Sequence, residues 1–226
     1  EGSFIQRAIK RFQAYPNLEV LGNPSTPRIA IMALRFKHDD KDLHYGFIVS
    51  LLNDLFGIQV RGGCSCAGPY GHSLLGIDMP YSRAIEAEIK QGNMLLRPGW
   101  VRLNFNYFID EQEFEYLLKA VELVATSGWR MLPFYQVDAK SGVWRFQGQS
   151  NQMASSLDDF QFTDYCQKSS LPTNIKVSLD GIYSSAEQVL LNTADYNEVS
   201  PLILSDESER LRWFTLPQEV THTNPA

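Results

Sequence analysis

Between Arg61 and His72 the chain reads Arg-Gly-Gly-Cys-Ser-Cys-Ala-Gly-Pro-Tyr-Gly-His, gathering two thiols, a guanidinium and an imidazole on glycine-rich backbone. Four glycines and a proline give the segment a fixed, non-repetitive path, which lets backbone amides and a thiol approach a ligand closely. Cys66 is the candidate nucleophile, because a thiolate attacks best where amides or a nearby cation lower its pKa. Arg61 and His72 are the candidate cations. The alternative is a buried structural cysteine, a common fate for free Cys.

Cys64, Cys66 and His72 also raise the question of zinc. A Cys-x-Cys followed by one His lacks the paired spacing of a structural site, and a fourth ligand would have to come from His38, His44 or Cys166. No metal is expected on this spacing. A Cys64–Cys66 disulfide would close a strained ring.

Arg102 sits in Val101-Arg-Leu-Asn-Phe, a strand pattern in which it shares a face with Asn104 and Asn106. An arginine on an otherwise apolar strand needs a partner. That partner is either an internal carboxylate, such as Asp54 or Glu113, or a ligand carboxylate held by the guanidinium fork. His44 reads as a surface or capping residue and His38 as a loop residue.

The elements that must position these groups follow from periodicity. Phe4, Ile5, Ala8, Ile9 and Phe12 recur at helical spacing ahead of Pro16. Leu18 to Leu21 and Arg28 to Phe36 read as strands, and His38 to Asp42 as a solvated loop. From His44, the run Phe47, Ile48, Leu51, Leu52, Leu55, Phe56 predicts a helix capped by Gly57. Ile58 to Val60 reads as a strand entering the cysteine loop, Tyr81 to Lys90 as an exposed helix, and Trp100 to Phe105 as a strand. Asp110 to Ser127 predicts a long helix opened by an Asp110/Glu113 capping box and stopped at Gly128. Phe134 to Asp138 and Val143 to Phe146 flank a turn as a hairpin.

This order implies an α+β fold, a mixed-sheet sandwich with helices on one face. Residues 1–133 form the domain and 134–226 an extension: the hairpin, then a stretch of weak periodicity leaning on the domain, with a loose end.

At 226 residues, 44% hydrophobic and 20% charged, the chain is long enough to bury a core. Its formal charge of −6 argues against nucleic acid as a partner. No apolar run approaches the roughly 20 residues of a membrane span. Three cysteines, two of them one residue apart, do not form a secreted disulfide framework, so a cytoplasmic setting is expected. Opening on Glu1-Gly2-Ser3, the chain reads as part of a longer polypeptide.

Arg61-x-Gly63-x-x-Cys66, preceded by a helix and an Ile-Gln-Val strand and followed by a strand bearing Arg102, resembles the small C-terminal domain of class V aminotransferase-fold enzymes. Cysteine desulfurases and selenocysteine lyases are the nearest group. The segment from Leu52 to Tyr70 is similar to a set of class V proteins with long C-terminal extensions, and the similarity continues through Arg97-Pro-Gly-Trp-Val-Arg-Leu-Asn104 and Gly128-Trp-Arg-Met-Leu-Pro133. It covers about the first 146 residues.

The resemblance implies a pyridoxal 5'-phosphate enzyme acting on cysteine or a similar amino acid. Cys66 matches the cysteine that carries a persulfide, Arg102 the arginine that binds the substrate carboxylate, and Arg61 a supporting arginine. Cys64, His72 and Asn104 stand as possible supporting residues. The sequence departs from the desulfurase pattern at Cys64-Ser65 and in about twenty additional residues, roughly 73–99.

In that family the Schiff-base lysine and most cofactor ligands belong to a large domain, which here would precede Glu1, and homodimers are usual. The chain has no Ser-x-His-Lys; Lys37-His38 has the order reversed. Two alternatives stand beside this reading. One is a class V aminotransferase or lyase without persulfide chemistry. The other is a non-catalytic binding or assembly module, using the aromatics between Trp129 and Phe162 for partner contact.

Overall fold

The computed structural model describes residues 1–64, 68–148, 178–193, 199 and 201–220. Its elements run α1 (Gly2–Phe12), β1 (Leu18–Val20), β2 (Ile31–His38), β3 (Lys41–Leu43), α2 (Tyr45–Phe56), β4 (Arg61–Gly63), α3 (Gly68–Leu75), α4 (Met79–Lys90), β5 (Trp100–Asn104), α5 (Glu111–Ser127), β6 (Tyr135–Asp138), β7 (Val143–Phe146), α6 (Leu179–Leu191) and α7 (Asp206–Leu211). The fold is α+β.

The main sheet has the spatial order β1-β2-β5-β4, with β3 also on β2, and β6-β7 form a separate hairpin. Every strand pairing among the described residues is antiparallel, where the element order had implied a mixed sheet. The short turn between β2 and β3 permits no other sense, and the α3–α4 excursion returns the chain beside β4 in the reverse direction. The one parallel contact among the described residues is an isolated bridge between Asp42 and Phe214.

Alternation sets the two faces. Met32, Leu34, Phe36, Val101 and Leu103 are buried against α1, α2 and α5, together with Phe12, Phe47, Leu51, Phe114 and Val121. Arg11 on α1 forks onto Glu122 of α5, with Nε–Oε1 at 2.5 Å and Nη2–Oε2 at 2.8 Å. The opposite face carries Ile31, Ala33, Arg35, Trp100, Arg102 and Asn104. That face is not bare, as a sandwich with helices on one side would leave it. Helix α3 lies on its Trp100 end, where Gly71 gives the indole a flat seat: a methyl there would stand 3.2 Å from the ring.

The caps agree with the sequence. Gly57 adopts φ 65° and ψ 17° after α2, and Asp110 and Glu113 exchange both bonds of the capping box. Two expectations need correction. His38 to Asp42 is not a solvated loop: a turn at Asp39 leads into β3, whose Asp42 is buried on Arg35 at 2.8 Å. Burial pushes the Asp42 carboxyl up, and the Arg35 guanidinium opposes that shift. The strand expected at Ile58 to Val60 forms instead at Arg61–Gly63, because the β5 register falls there.

The later residues join the same core. Helix α6 packs on α5 and α2 through Ala186 and Leu190. Beyond α7, Phe214 is fully buried and the Thr215 amide donates to the Asp42 carbonyl at 2.9 Å. One hydrophobic cluster thus runs from Ile5 to Val220.

Candidate functional site

Arg102 and Arg61 face one another across the β4–β5 ladder, and Ala33 of β2 lies opposite Arg102 on its other side. The three form a row across the open face. Strand β5 forms because Val101 and Leu103 enter the core, which turns Arg102 and Asn104 outward. Like charges directly opposite repel in a sheet. Among the described residues neither arginine has a carboxylate within ion-pair distance. Arg7, Arg11, Arg35, Arg210 and Arg212, by contrast, are all paired.

The internal partners proposed from sequence are engaged elsewhere. Asp54 accepts from the Tyr135 hydroxyl at 2.8 Å, and Glu113 accepts from the Asp110 amide at 2.9 Å. Arg102 instead lines an open cleft of about 480 Å³, together with Trp100 and Ala33 of the sheet, Tyr70 and Leu74 of α3, and Arg28 of the loop ahead of β2. That size suits a small molecule. Tyr70 reaches over the cleft, its hydroxyl 3.9 Å from where a side chain on Gly22 would begin.

The glycines of the cysteine segment serve packing as much as ligand approach. A Cβ on Gly99 would lie 2.5 Å from the Gly63 Cα, and one on Gly62 would lie 2.6 Å from the Tyr45 ring. Two backbones therefore cross in contact at Gly63 and Gly99. Gly63 itself takes φ 111°, a conformation suited to glycine.

The other predicted site residues separate. Cys64 is half-buried, with Arg97 Nη2 3.9 Å from its Sγ. His72 lies on α3 with its Nδ1 3.2 Å from the Ser82 hydroxyl, so it braces α3 against α4 rather than facing Arg102. Asn104 is exposed beside Ile31, one step along the face from Arg102. Cys66 and Cys166 lie outside the described residues. No group of three or more His, Cys, Asp or Glu side chains suited to a metal occurs among the described residues.

Sequence reasoning misjudged His44 in one respect. It caps α2 as expected, accepting from the Gly46 amide at 3.0 Å, but it is buried rather than at the surface. Its Nε2–H donates to the Leu95 carbonyl at 3.1 Å, and its Nδ1 also accepts from the Trp144 indole at 2.9 Å. Tyr45, Trp213 and Phe214 close around the ring. Burial lowers its pKa to about 3, with the Leu95 bond acting the other way. The aromatic residues at 144, 213 and 214 were the available signal, but they lie too far along the chain to be linked to position 44 by spacing.

Pyridoxal phosphate needs a lysine for its aldehyde and a carboxylate opposite its ring nitrogen. Neither residue type lines the described cleft, whose charged members are Arg28 and Arg102. On its own residues the cleft fits the acid group of a ligand, not the cofactor. Among the described residues no helix is long and apolar enough to cross a membrane. The chain matches no protein-family model and no curated protein.

Proposed function

We propose that this chain supplies the substrate-carboxylate side of a pyridoxal-phosphate-dependent enzyme of the class V aminotransferase type, with cysteine desulfuration as its reaction. The observation that carries the reading is Arg102, which lines a small-molecule cleft with no carboxylate partner among the described residues and is flanked in register by Arg61. A planar carboxylate fits the guanidinium fork and relieves the repulsion between the two arginines. The motifs from Leu52 to Tyr70 and from Arg97 to Asn104 supply the family part of the argument.

In this reading Arg102 fixes the substrate carboxylate, Arg61 supports it, and Cys66 accepts the substrate's sulfur. The cofactor and its lysine belong to a large domain of the same polypeptide, which works as a cytoplasmic homodimer. Ile29, Tyr107 and Phe108, all exposed at the end of the β2–β5 pair, offer an apolar rim for that domain to cover.

The test is the absorbance spectrum of the polypeptide as the cell makes it, before and after addition of cysteine. A cofactor band that shifts with cysteine, with sulfide released under reductant and lost in Cys66→Ser, supports desulfuration. A band that responds only to other amino acids moves the reaction to transamination or elimination. The absence of any cofactor band overturns the assignment.

A further inference from the structure

The register of the sheet fixes what surrounds Arg102. Ala33 lies directly opposite it on β2, and the Leu21 amide donates to the Ala33 carbonyl at 2.9 Å, so Leu21, Ala33 and Arg102 follow one another across the sheet. Arg61 stands on the other side of Arg102, in β4. Side chains directly opposite one another start about 5 Å apart. Leu21 and Ala33 line the cleft and Arg61 does not, so the cleft opens on the Ala33 side of Arg102.

The sheet and α3 make that side aliphatic and aromatic. Ile31 and Trp100 share the face of Ala33 and Arg102 at two-residue spacing, and they line the cleft with Leu21, Leu74 and Tyr70. The polar side chains Asn23, Thr26 and Arg28 all come from the loop ahead of β2.

Tyr70 connects the two ends of this stretch. Its neighbour Gly71 rests on the Trp100 ring, and its own hydroxyl comes within 3.9 Å of where a side chain on Gly22, the residue after Leu21, would begin. Trp100 is buried, whereas Tyr70 is exposed and its ring is open to a ligand. A carboxylate held by Arg102 and Arg61 leaves the rest of its molecule on the Ala33 side. There a thiol meets apolar groups and aromatic rings, contacts that sulfur gains from. A hydroxyl of the same reach gives up hydrogen bonds to water.

We infer that Tyr70 is a specificity-determining residue of the cleft, selecting a thiol side chain over a hydroxyl one, cysteine over serine. The inference rests on the assignment of Arg102 as the carboxylate ligand of an enzyme that acts on cysteine.

L-cysteine and L-serine differ by one atom, so their binding to the chain, followed by NMR titration or calorimetry under reductant, isolates the sulfur. Cysteine is expected to bind about five- to tenfold more tightly, the upper scale of one sulfur–aromatic contact. Tyr70→Ala should bring cysteine to the serine level and leave serine nearly unchanged. Tyr70→Leu, which keeps an apolar side chain and removes the ring, should retain part of the preference, and Arg102→Gln should abolish binding of both amino acids. Equal binding of the two, still lost in Arg102→Gln, overturns the selection and leaves the carboxylate clamp standing. A preference that survives Tyr70→Ala overturns the role of Tyr70. No binding, or binding indifferent to Arg102→Gln, overturns the clamp as well. Circular dichroism of each variant establishes that a loss of binding is not a loss of fold.

Discussion

The indole of Trp144 donates to Nδ1 of His44 at 2.9 Å, joining the β6–β7 hairpin to the first turn of α2 through a neutral imidazole. Because Nδ1 accepts and Nε2 donates, protonation would set a second N–H against two existing donors. The folded pKa is lowered to about 3 from an ordinary value of 6.5, so the unfolded chain takes up the proton first. Stability is complete above pH 6.5 and falls as the pH drops toward 3, by up to about 1.4 kcal/mol per pH unit. Denaturant midpoints between pH 7 and pH 5, where carboxylates remain ionised, check this. A flat profile there would contradict it. Trp144→Phe, which keeps the ring and removes the donor, should lower stability by about 1 kcal/mol.

Arg61→Gln and Arg102→Gln are expected to move stability and binding in opposite directions. Each removes one of two like charges held opposite in a ladder and should stabilise the fold by a few tenths of a kcal/mol. Each should also weaken anion binding, Arg102→Gln the more. Thermal melts beside a titration with a carboxylate separate the two effects, and a destabilised Arg102→Gln would mean that the guanidinium has a structural partner.

Gly99→Ala should be costly despite its small size. The added methyl meets the Gly63 Cα at 2.5 Å, and backbone cannot rotate away as a side chain would. A loss of about 1–3 kcal/mol is expected, the range for overpacked sites. A denaturant titration that leaves the midpoint unchanged would argue against a close crossing of the two backbones.

The clasp near Asp42 has its own pH signature. Burial tends to raise the Glu219 pKa, but hydrogen bonds from Arg212, the Leu216 amide and Lys41 outweigh it and bring the value to about 2. The stabilisation is present above the ordinary value of 4.5 and is lost as the pH falls through 2. Glu219→Gln should abolish that dependence while lowering stability near neutrality. Phe214→Ala should cost about 3–5 kcal/mol at any pH, since the ring is fully buried. Amide exchange at β3 reads both.

Local chemistry made much of the fold legible. The apolar stripes of α1, α2 and α5, the Gly57 cap and the Asp110/Glu113 box depend on residues within a few positions of one another, as does the β6–β7 hairpin. What escaped were properties decided by distant partners. Asp42 looks solvated until Arg35 and Phe214 are brought to it, and His44 looks exposed until Trp144 and Trp213 enclose it. Helix α3 was hidden by its own glycines and Pro69, residues that favour turns in isolation. Arg102 was legible as a site residue because a cation on an apolar strand is anomalous. Arg28 carried no such signal, since a lone arginine in a loop is ordinary until the fold brings it to the cleft that Arg102 also lines.

The wall of that cleft has an unexpected guarantor. Tyr70 and Leu74 stand on α3, which His72 and Ser82 join to α4. Helix α4 and the turn after it are in turn tied to the far end of the chain: Tyr81 donates to the Leu211 carbonyl at 2.7 Å, the Ser208 hydroxyl donates to the buried Glu88, and the Trp213 indole donates to the Leu96 carbonyl at 3.1 Å. Those ties span 130, 120 and 117 positions of sequence. The aperture through which a ligand would reach Arg102 is thereby governed by residues that never touch it, and substitutions at 208, 211 or 213 can retune affinity with both arginines intact.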